Sequence, residues 1–135
     1  MQSDAINWLA VVAAALSAFV LGGIWYSPLL LGNLWMKENR FTTETVKAGN
    51  KGKIFGWSLV LSLIMAVNLA MFLNSADMNL ALGLTYGALA GVWAFCAIAI
   101  VALFEMKGLA YILINGGYAL VALAVMGGII GGWRG

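Results

Sequence analysis

Residues 80–104 read LALGLTYGALAGVWAFCAIAIVALF, an apolar run that contains no charged side chain and no histidine. At about 1.5 Å of rise per residue, a helix of this length crosses the roughly 30 Å hydrocarbon core of a bilayer. The run is also about twice as long as the typical helix of a soluble globular protein, which has roughly 10–14 residues. It therefore predicts a membrane-spanning helix.

Three further runs have the same character, and together the four fill most of the 135-residue chain. They cover residues 5–26, 54–73 and 110–133. Hydrophobic residues make up 64% of the chain and charged residues only 9%, whereas a soluble domain has about 25% charged residues. The sequence therefore predicts an all-α fold, a four-helix transmembrane bundle that forms one domain over residues 1–135 with the lipid bilayer as its partner.

Basic residues are distributed unevenly between the two sides of this bundle. Six of the seven basic residues lie in the two loops on one side, and the seventh is Arg134, near the carboxyl terminus. Because basic residues collect in cytoplasmic loops, we expect residues 29–53 to be cytoplasmic and both termini and the turn 74–79 to lie outside, an N-out, C-out topology. We expect a multi-pass protein of the cell membrane, namely the bacterial inner membrane. The six basic residues of the cytoplasmic loops are Lys37, Arg40, Lys47, Lys51, Lys53 and Lys107.

The first cytoplasmic loop is the longest polar segment of the chain. Pro28 disfavours a helical conformation in the residue before it, so we expect this proline to end the first span. Residues 29–36 are mostly apolar and are expected to lie along the membrane surface. Thr42 or Thr43 can cap a short helix that Gly49 can end. The loop therefore predicts a short interfacial helix.

Small residues recur at every fourth position in all four spans, so that each set lies along one helix face. Such stripes let helix backbones approach closely, and close packing drives helix association in lipid. The sequence leaves open whether the glycine stripes join helices within one chain or between chains. In span order, the stripes are Ala10, Ala14, Ala18 and Gly22; Ser58, Ser62, Ala66 and Ala70; Gly83, Gly87 and Gly91; and Ala124, Gly128 and Gly132, with Gly127 and Gly131 in a second register.

Several mild polar groups are expected near the middle of the membrane. Counted from the cytoplasmic ends, they lie roughly 12–17 Å deep. The indole N–H of Trp93 needs an acceptor there, which Ser17, Ser62 or a backbone carbonyl could supply. The layer is interpreted either as inter-helix hydrogen bonding or as a surface that contacts a solute. Its members are Ser17, Ser62, Trp93, Cys96 and Tyr118.

The fourth span carries a second polar feature. Tyr111, Asn115 and Tyr118 share one helix face, at offsets of four and three residues. Asn115 is expected about one turn nearer the cytoplasm than the midplane layer. At the cytoplasmic end of the third span, the carboxylate of Glu105 is expected to be neutralised by a salt bridge with Lys107.

The inventory of side chains argues against an enzyme. The chain has no histidine, and its single cysteine, Cys96, has no evident base or cation to lower its pKa. No pair of carboxylates lies inside the spans to act as acid and base or to hold a metal. No loop has the spacing of a phosphate-binding loop. We therefore expect no enzymatic activity, no catalytic or metal-binding residue, no cofactor and no nucleic-acid partner.

A motif at the end of the first span suggests a family. Residues 22–30 read GGIWYSPLL and are followed by Gly32, and residues 115–118 read NGGY. With looser matches over nearly the whole chain, this pattern resembles domain-of-unknown-function family 1761. The resemblance implies a four-span bundle and supplies no established activity. By the depth count, Trp25, Tyr26, Tyr111 and Asn115 should converge near the cytoplasmic boundary. All of these except Tyr111 belong to the segments that carry the resemblance.

Two functions are compatible with these features. The first is a non-enzymatic bundle that self-associates, or serves as an accessory subunit of a larger membrane complex, through the glycine faces of the third and fourth spans. The second is an oligomeric channel or carrier for a small neutral or weakly polar solute. In the second, Asn115 would contact the solute, Tyr118 would narrow the path and Trp93 would form its wall. No ring of charge lies at mid-depth, so steep ion selectivity is not expected.

Overall fold

The computed structural model describes residues 6–75 and 77–133, and the regular structure within these residues is entirely helical. The all-α prediction is confirmed. The predicted start of the first span at Ala5, and Arg134, lie outside the described residues. The described residues contain six helices, namely α1 (Trp8–Trp25), α2 (Gly32–Asn39), α3 (Thr43–Ala48), α4 (Lys51–Phe72), α5 (Leu80–Phe104) and α6 (Leu109–Gly132).

Four of these helices, α1, α4, α5 and α6, are long and apolar enough to cross a membrane. The most apolar 18-residue window in each has a mean hydropathy between 1.9 and 2.3. The prediction of four candidate spans is therefore confirmed, and the chain is a multi-pass membrane protein. The side of the membrane on which each end lies remains a prediction.

Side-chain caps set the starts of four helices. At the start of α1, Asn7 accepts a hydrogen bond from the backbone N–H of Ala10 at 3.2 Å. Asn79 accepts a hydrogen bond from the backbone N–H of Leu82 at 2.9 Å, and α5 begins at the next residue. Asn50 does the same for Lys53 at 3.0 Å, so α4 begins at Lys51 and not at residue 54. Thr42 caps α3 in the same way. Each cap satisfies an N–H that has no partner within its own helix.

The first loop contains two short helices, α2 and α3, where the sequence predicts one. Only α3 has a side-chain cap, and α2 begins at Gly32 without one. Glycine is required at this position, because a methyl group there would lie 2.6 Å from the carbonyl oxygen of Tyr26. The sequence does not predict α2, because the usual capping signal is absent from its start.

The four spans follow one another in the neighbour order α4, α1, α6, α5. The helix α1 packs against both α4 and α6, while α5 has its extensive contact with α6 alone among the described helices. Asn7, at the start of α1, donates a 2.8 Å hydrogen bond to the carbonyl oxygen of Trp133 at the end of α6. The described chain ends and the α4–α5 turn therefore lie at one end of the bundle, and the first loop and the α5–α6 turn lie at the other.

Small residues bring α1 close to its two neighbours. Ala10 and Ala14 are fully buried on α1, as is Ala66 on α4. The same core cluster contains larger buried side chains, including Leu73 and Met126. The stripe predicted for α4 is buried except at Ser58, which is exposed.

The glycine stripes of α5 and α6 pack against each other within the chain. A methyl group at Gly91 would lie 2.7 Å from Leu120 Cα, and one at Gly87 would lie 3.1 Å from Ala124 Cα. Gly83 faces Gly127 and Gly131 so closely that no side chain fits between the two backbones. The glycine faces are therefore occupied within the chain and are not available to join separate chains. Self-association would have to use a different surface.

The first register on α6, which contains Gly128 and Gly132, has a different environment. Gly128 is buried, and a methyl group there would lie 2.7 Å from a side-chain carbon of Leu84. Gly132 is exposed, and its added methyl group would lie 3.3 Å from Leu80 Cβ. This register therefore contacts α5 side chains, whereas Gly127 and Gly131 contact the α5 backbone.

Candidate functional site

Four side chains from the end of α1 and the middle of α6 meet near one end of the bundle. We call Trp25, Tyr26, Asn115 and Tyr118 the motif cluster. The helix α1 ends at Trp25, and the N–H of Tyr26 still bonds the carbonyl oxygen of Gly22 at 3.1 Å. The chain then turns before Pro28, which has no N–H to continue the helix. Both aromatic residues contact α6, since Trp25 bonds the backbone of Ile114 and Tyr26 bonds Asn115.

The centre of the cluster is a hydrogen bond between two side chains. The Tyr26 hydroxyl donates to Asn115 Oδ1 at 2.6 Å. Asn115 Nδ2 in turn donates to the carbonyl oxygen of Tyr111, one turn earlier on α6, at 3.1 Å. The amide of Asn115 is thus engaged through both its oxygen and its nitrogen, and its orientation is fixed by one partner outside α6 and one inside.

Trp25 and Tyr118 bond the backbone of the facing helix. Trp25 Nε1 donates to the carbonyl oxygen of Ile114 at 2.8 Å, and the Tyr118 hydroxyl donates to that of Ala18 at 2.9 Å. Two polar groups of the bundle interior are therefore satisfied across the α1–α6 contact. Because lipid supplies no acceptor, such bonds favour this pairing of helices.

Two glycines provide the space that these rings occupy. A methyl group at Gly22 would lie 3.3 Å from the Tyr118 hydroxyl, and one at Gly117 would lie 3.2 Å from Trp25 Cζ2. The ring centroids of Trp25 and Tyr118 are 6.4 Å apart, in an edge-to-face arrangement. The glycines of the GGIWYSP and NGGY segments thus complement the aromatic residues of the other segment.

Gly116 has a separate role. A methyl group there would lie 2.6 Å from Phe95 Cδ2, so this glycine admits an aromatic ring of α5. Among residues 115–118, Asn115 therefore contacts Tyr26 after α1, Gly116 contacts α5, and the last two residues contact α1.

Aromatic contacts extend the cluster into the first loop. The ring of Tyr26 packs at 5.7 Å from that of Tyr118 and at 5.6 Å from that of Trp35 on α2. Trp35 packs at 5.3 Å from Phe41. Edge-on aromatic pairs at these distances are favourable. Trp35 and Phe41 thereby join the site, which the depth count does not predict because both residues lie outside the spans.

Burial also affects the ionisation of Tyr26, which follows the last residue of α1. Burial, with smaller electrostatic effects of Tyr118 and Tyr111, raises the pKa of the Tyr26 hydroxyl well above its usual range. The group therefore stays protonated at neutral pH and can donate to Asn115.

The predicted midplane layer does not form a single site. Ser17 donates to the carbonyl oxygen of Ala14 in its own helix at 2.6 Å, and Ser62 is buried on α4. Trp93 lies on the outside of α5, 71% exposed, so neither serine supplies its acceptor. Of the predicted layer, only Tyr118 joins the motif cluster. The position of Trp93 could not be inferred from depth, because depth does not fix the direction around the helix axis.

The predicted pairing of Glu105 with Lys107 is wrong. Among the described residues no ion pair joins them, and Lys107 Nζ lies instead 5.3 Å from the ring centroid of Tyr111, in a cation–π arrangement. Met106 between them has a left-handed conformation, with φ at 60°, which reverses the chain between α5 and α6. The two side chains flank this turn and line a polar groove with Glu38 of α2.

The motif cluster consists of neutral hydrogen-bonding groups. Its donors and acceptors are neutral and are paired with one another or with backbone carbonyls. The arrangement can hold the end of α1 and the loop helix α2 against α6. It presents no carboxylate, thiol or ammonium group to a substrate.

Comparison with known proteins assigns the chain to a family. A family model described as "Protein of unknown function (DUF1761)" matches residues 9–131, which contain the whole motif cluster. No curated protein and no solved structure matches the chain. The GGIWYSP and NGGY segments carry the family resemblance. In the structure these two segments contact each other through the motif cluster. The chain belongs to the DUF1761 family of proteins of unknown function.

Proposed function

We propose that this protein is a non-enzymatic membrane bundle that functions through self-association. The observation that carries the proposal is the uneven burial of the four spans. In α6, 39% of the most apolar window is buried within the chain, against 17% in α5 and 22% in α4. The two outer helices of the neighbour order therefore offer most of their surface to whatever surrounds the chain.

The arrangement of polar groups supports a structural role for the cluster over a transport role. In the channel or carrier alternative, Asn115 and Tyr118 would need to face a solute path. Both side chains are instead hydrogen-bonded across helices, and Tyr118 fills the space beside Gly22. A solute would have to replace these bonds before it could pass between α1 and α6, which weighs against the alternative.

Native mass spectrometry of protein released from native membranes in mild detergent tests the proposal. We expect masses at multiples of the 14.3 kDa chain. A mass that contains other subunits would instead indicate an accessory subunit of a larger complex. A clean monomer under conditions that preserve a known membrane dimer would contradict both forms of the assembly proposal.

A flux assay tests the alternative on the same preparation. Liposomes that contain the protein should be no more permeable to ions or small neutral solutes than empty liposomes. Flux that is abolished by Asn115→Leu in correctly folded protein would overturn the assignment of the cluster to a structural role.

A further inference from the structure

The helix α5 has a continuous exposed face on the side away from its glycine stripe. At about 100° per residue, this face lies opposite Gly83, Gly87 and Gly91, which pack on α6. Trp93, at the middle of the helix, is 71% exposed. Successive members are three or four residues apart, the spacing of helix pairs that cross at a small angle. This α5 outer face consists of Tyr86, Leu89, Trp93, Cys96, Ile100 and Leu103.

Trp93 distinguishes this face from an ordinary lipid-facing surface. Its indole N–H has no hydrogen-bond partner among the described residues. Near the middle of a span, lipid tails offer no acceptor, so an unpaired N–H is unfavourable there. Tryptophan in a span prefers the headgroup level, where its N–H is hydrated. The group that covers Trp93 must therefore supply an acceptor, which lipid cannot do.

The chain already contains an example of the contact that Trp93 requires. Trp25 Nε1 donates to a backbone carbonyl of α6 at 2.8 Å, at a position where the small residue Gly117 admits the indole ring. On α5, the exposed small residues Cys96 and Ala97 lie within about one turn of Trp93. A second α5 at the same depth therefore presents a small-residue position at which its backbone carbonyls are accessible.

We infer that two copies of the chain associate through their α5 outer faces, each Trp93 donating to a backbone carbonyl of the second copy's α5. This contact rests on the proposed self-association and specifies the surface through which the two copies meet. The face is self-complementary, since each copy brings one bulky indole and one small-residue position at similar depth. Residues 80–104 carry no charge, so the two helices do not repel each other.

Cys96 provides a direct test, because it lies on this face and is the single cysteine of the chain. Copper–phenanthroline oxidation of membranes should convert the protein to a dimer on non-reducing gels, and dithiothreitol should reverse it. The disulfide requires Cβ atoms about 3.5–4.5 Å apart, so only copies that meet along this face form it efficiently. The matched control is Cys96→Ala combined with Leu61→Cys, which places the thiol on the exposed face of α4 and should give little dimer.

A second variant tests the hydrogen bond itself. Trp93→Phe keeps a ring and removes the N–H, and it should weaken dimerisation about 3- to 10-fold, as measured by energy transfer between labelled copies at increasing lipid dilution. Trp57→Phe is the matched control, because Trp57 is 61% exposed on α4 and should leave the dimerisation constant unchanged.

The possible outcomes separate the surface from the function. Efficient crosslinking at Cys96 with weakening by Trp93→Phe would support the inference. Multimers in native mass spectrometry without a Cys96 crosslink, or equal crosslinking at positions 61 and 96, would overturn the α5 surface and leave self-association standing. A monomer in both experiments would overturn both.

Discussion

The Tyr26 hydroxyl donates a 2.6 Å hydrogen bond to Asn115 Oδ1, and this bond links the residue that follows α1 to the middle of α6. The two residues are 89 positions apart in the chain. Tyr26 belongs to the GGIWYSP segment and Asn115 to the NGGY segment, and both lie within the region that the family model matches. The bond gives those two segments a shared structural purpose, because it fixes the turn after α1 and the docking of α2.

Removal of this hydroxyl should destabilise the bundle. Tyr26→Phe leaves the Asn115 oxygen without its donor, and we expect a loss of about 1–3 kcal/mol in the free energy of unfolding, measured by denaturation in detergent micelles. Tyr86→Phe makes the same chemical change on the exposed face of α5 and should have little effect on folding. Equal losses in the two variants would contradict a specific role for the Tyr26 bond.

A methyl group at Gly91 should separate α5 from α6. Gly91→Ala would place a carbon 2.7 Å from Leu120 Cα, a contact between backbones that side-chain rotation cannot relieve. Overpacking of this kind costs about 1–3 kcal/mol, which unfolding experiments should detect.

The matched control for Gly91→Ala is Gly23→Ala on α1. Gly23 has no atom within 4 Å of the added methyl group, and alanine is the better helix former. We expect this variant to be neutral or slightly more stable. If Gly91→Ala is as stable as Gly23→Ala, the close α5–α6 contact is wrong.

Gly32→Ala should disrupt the start of α2. The added methyl group would lie 2.6 Å from both the Tyr26 and Ser27 carbonyl oxygens, so the turn after α1 has to open. We expect faster proteolytic cleavage of the first loop, because Trp35 loses its contact with Tyr26. Gly52→Ala is the control, since its methyl group would meet one atom at an ordinary 3.5 Å. Similar cleavage of the two variants would argue against the docked position of α2.

The predicted topology can be tested by single-cysteine labelling in intact cells. In a Cys96→Ala background, a membrane-impermeant maleimide should label Asp77→Cys from outside and should not label Lys47→Cys until the membrane is permeabilised. Both positions are exposed in the structure. Labelling of position 47 and protection of position 77 would reverse the topology.

The spans were predictable because their signals are local. A helix in lipid must satisfy its own backbone, so a long uncharged run such as 80–104 has few alternatives to a spanning helix. The cap at Asn79 is equally local, since the side chain that starts the helix is adjacent to it. The bounds of α5 therefore coincide with the predicted ones, whereas α4 starts earlier than predicted because Asn50 caps it ahead of the apolar run.

The site was only partly predictable, because its contacts depend on rotation about each helix axis. The depth count predicts that Tyr26 and Asn115 lie at the same level of the membrane, and in the structure the two side chains are hydrogen-bonded. Trp93 and Ser62 were also placed at one level, yet they lie on different helices that share no extensive contact. In an all-apolar helix the hydrophobic pattern does not distinguish inward from outward faces, so sequence alone could not separate these cases.

Single-molecule photobleaching of labelled protein in liposomes gives the sharpest test of the proposed self-association. The number of bleaching steps per particle is counted as lipid is increased at constant protein. We expect multi-step particles to predominate at high protein-to-lipid ratios and to give way to single-step particles on dilution. Single-step particles at every ratio, for protein that is correctly folded, would contradict self-association.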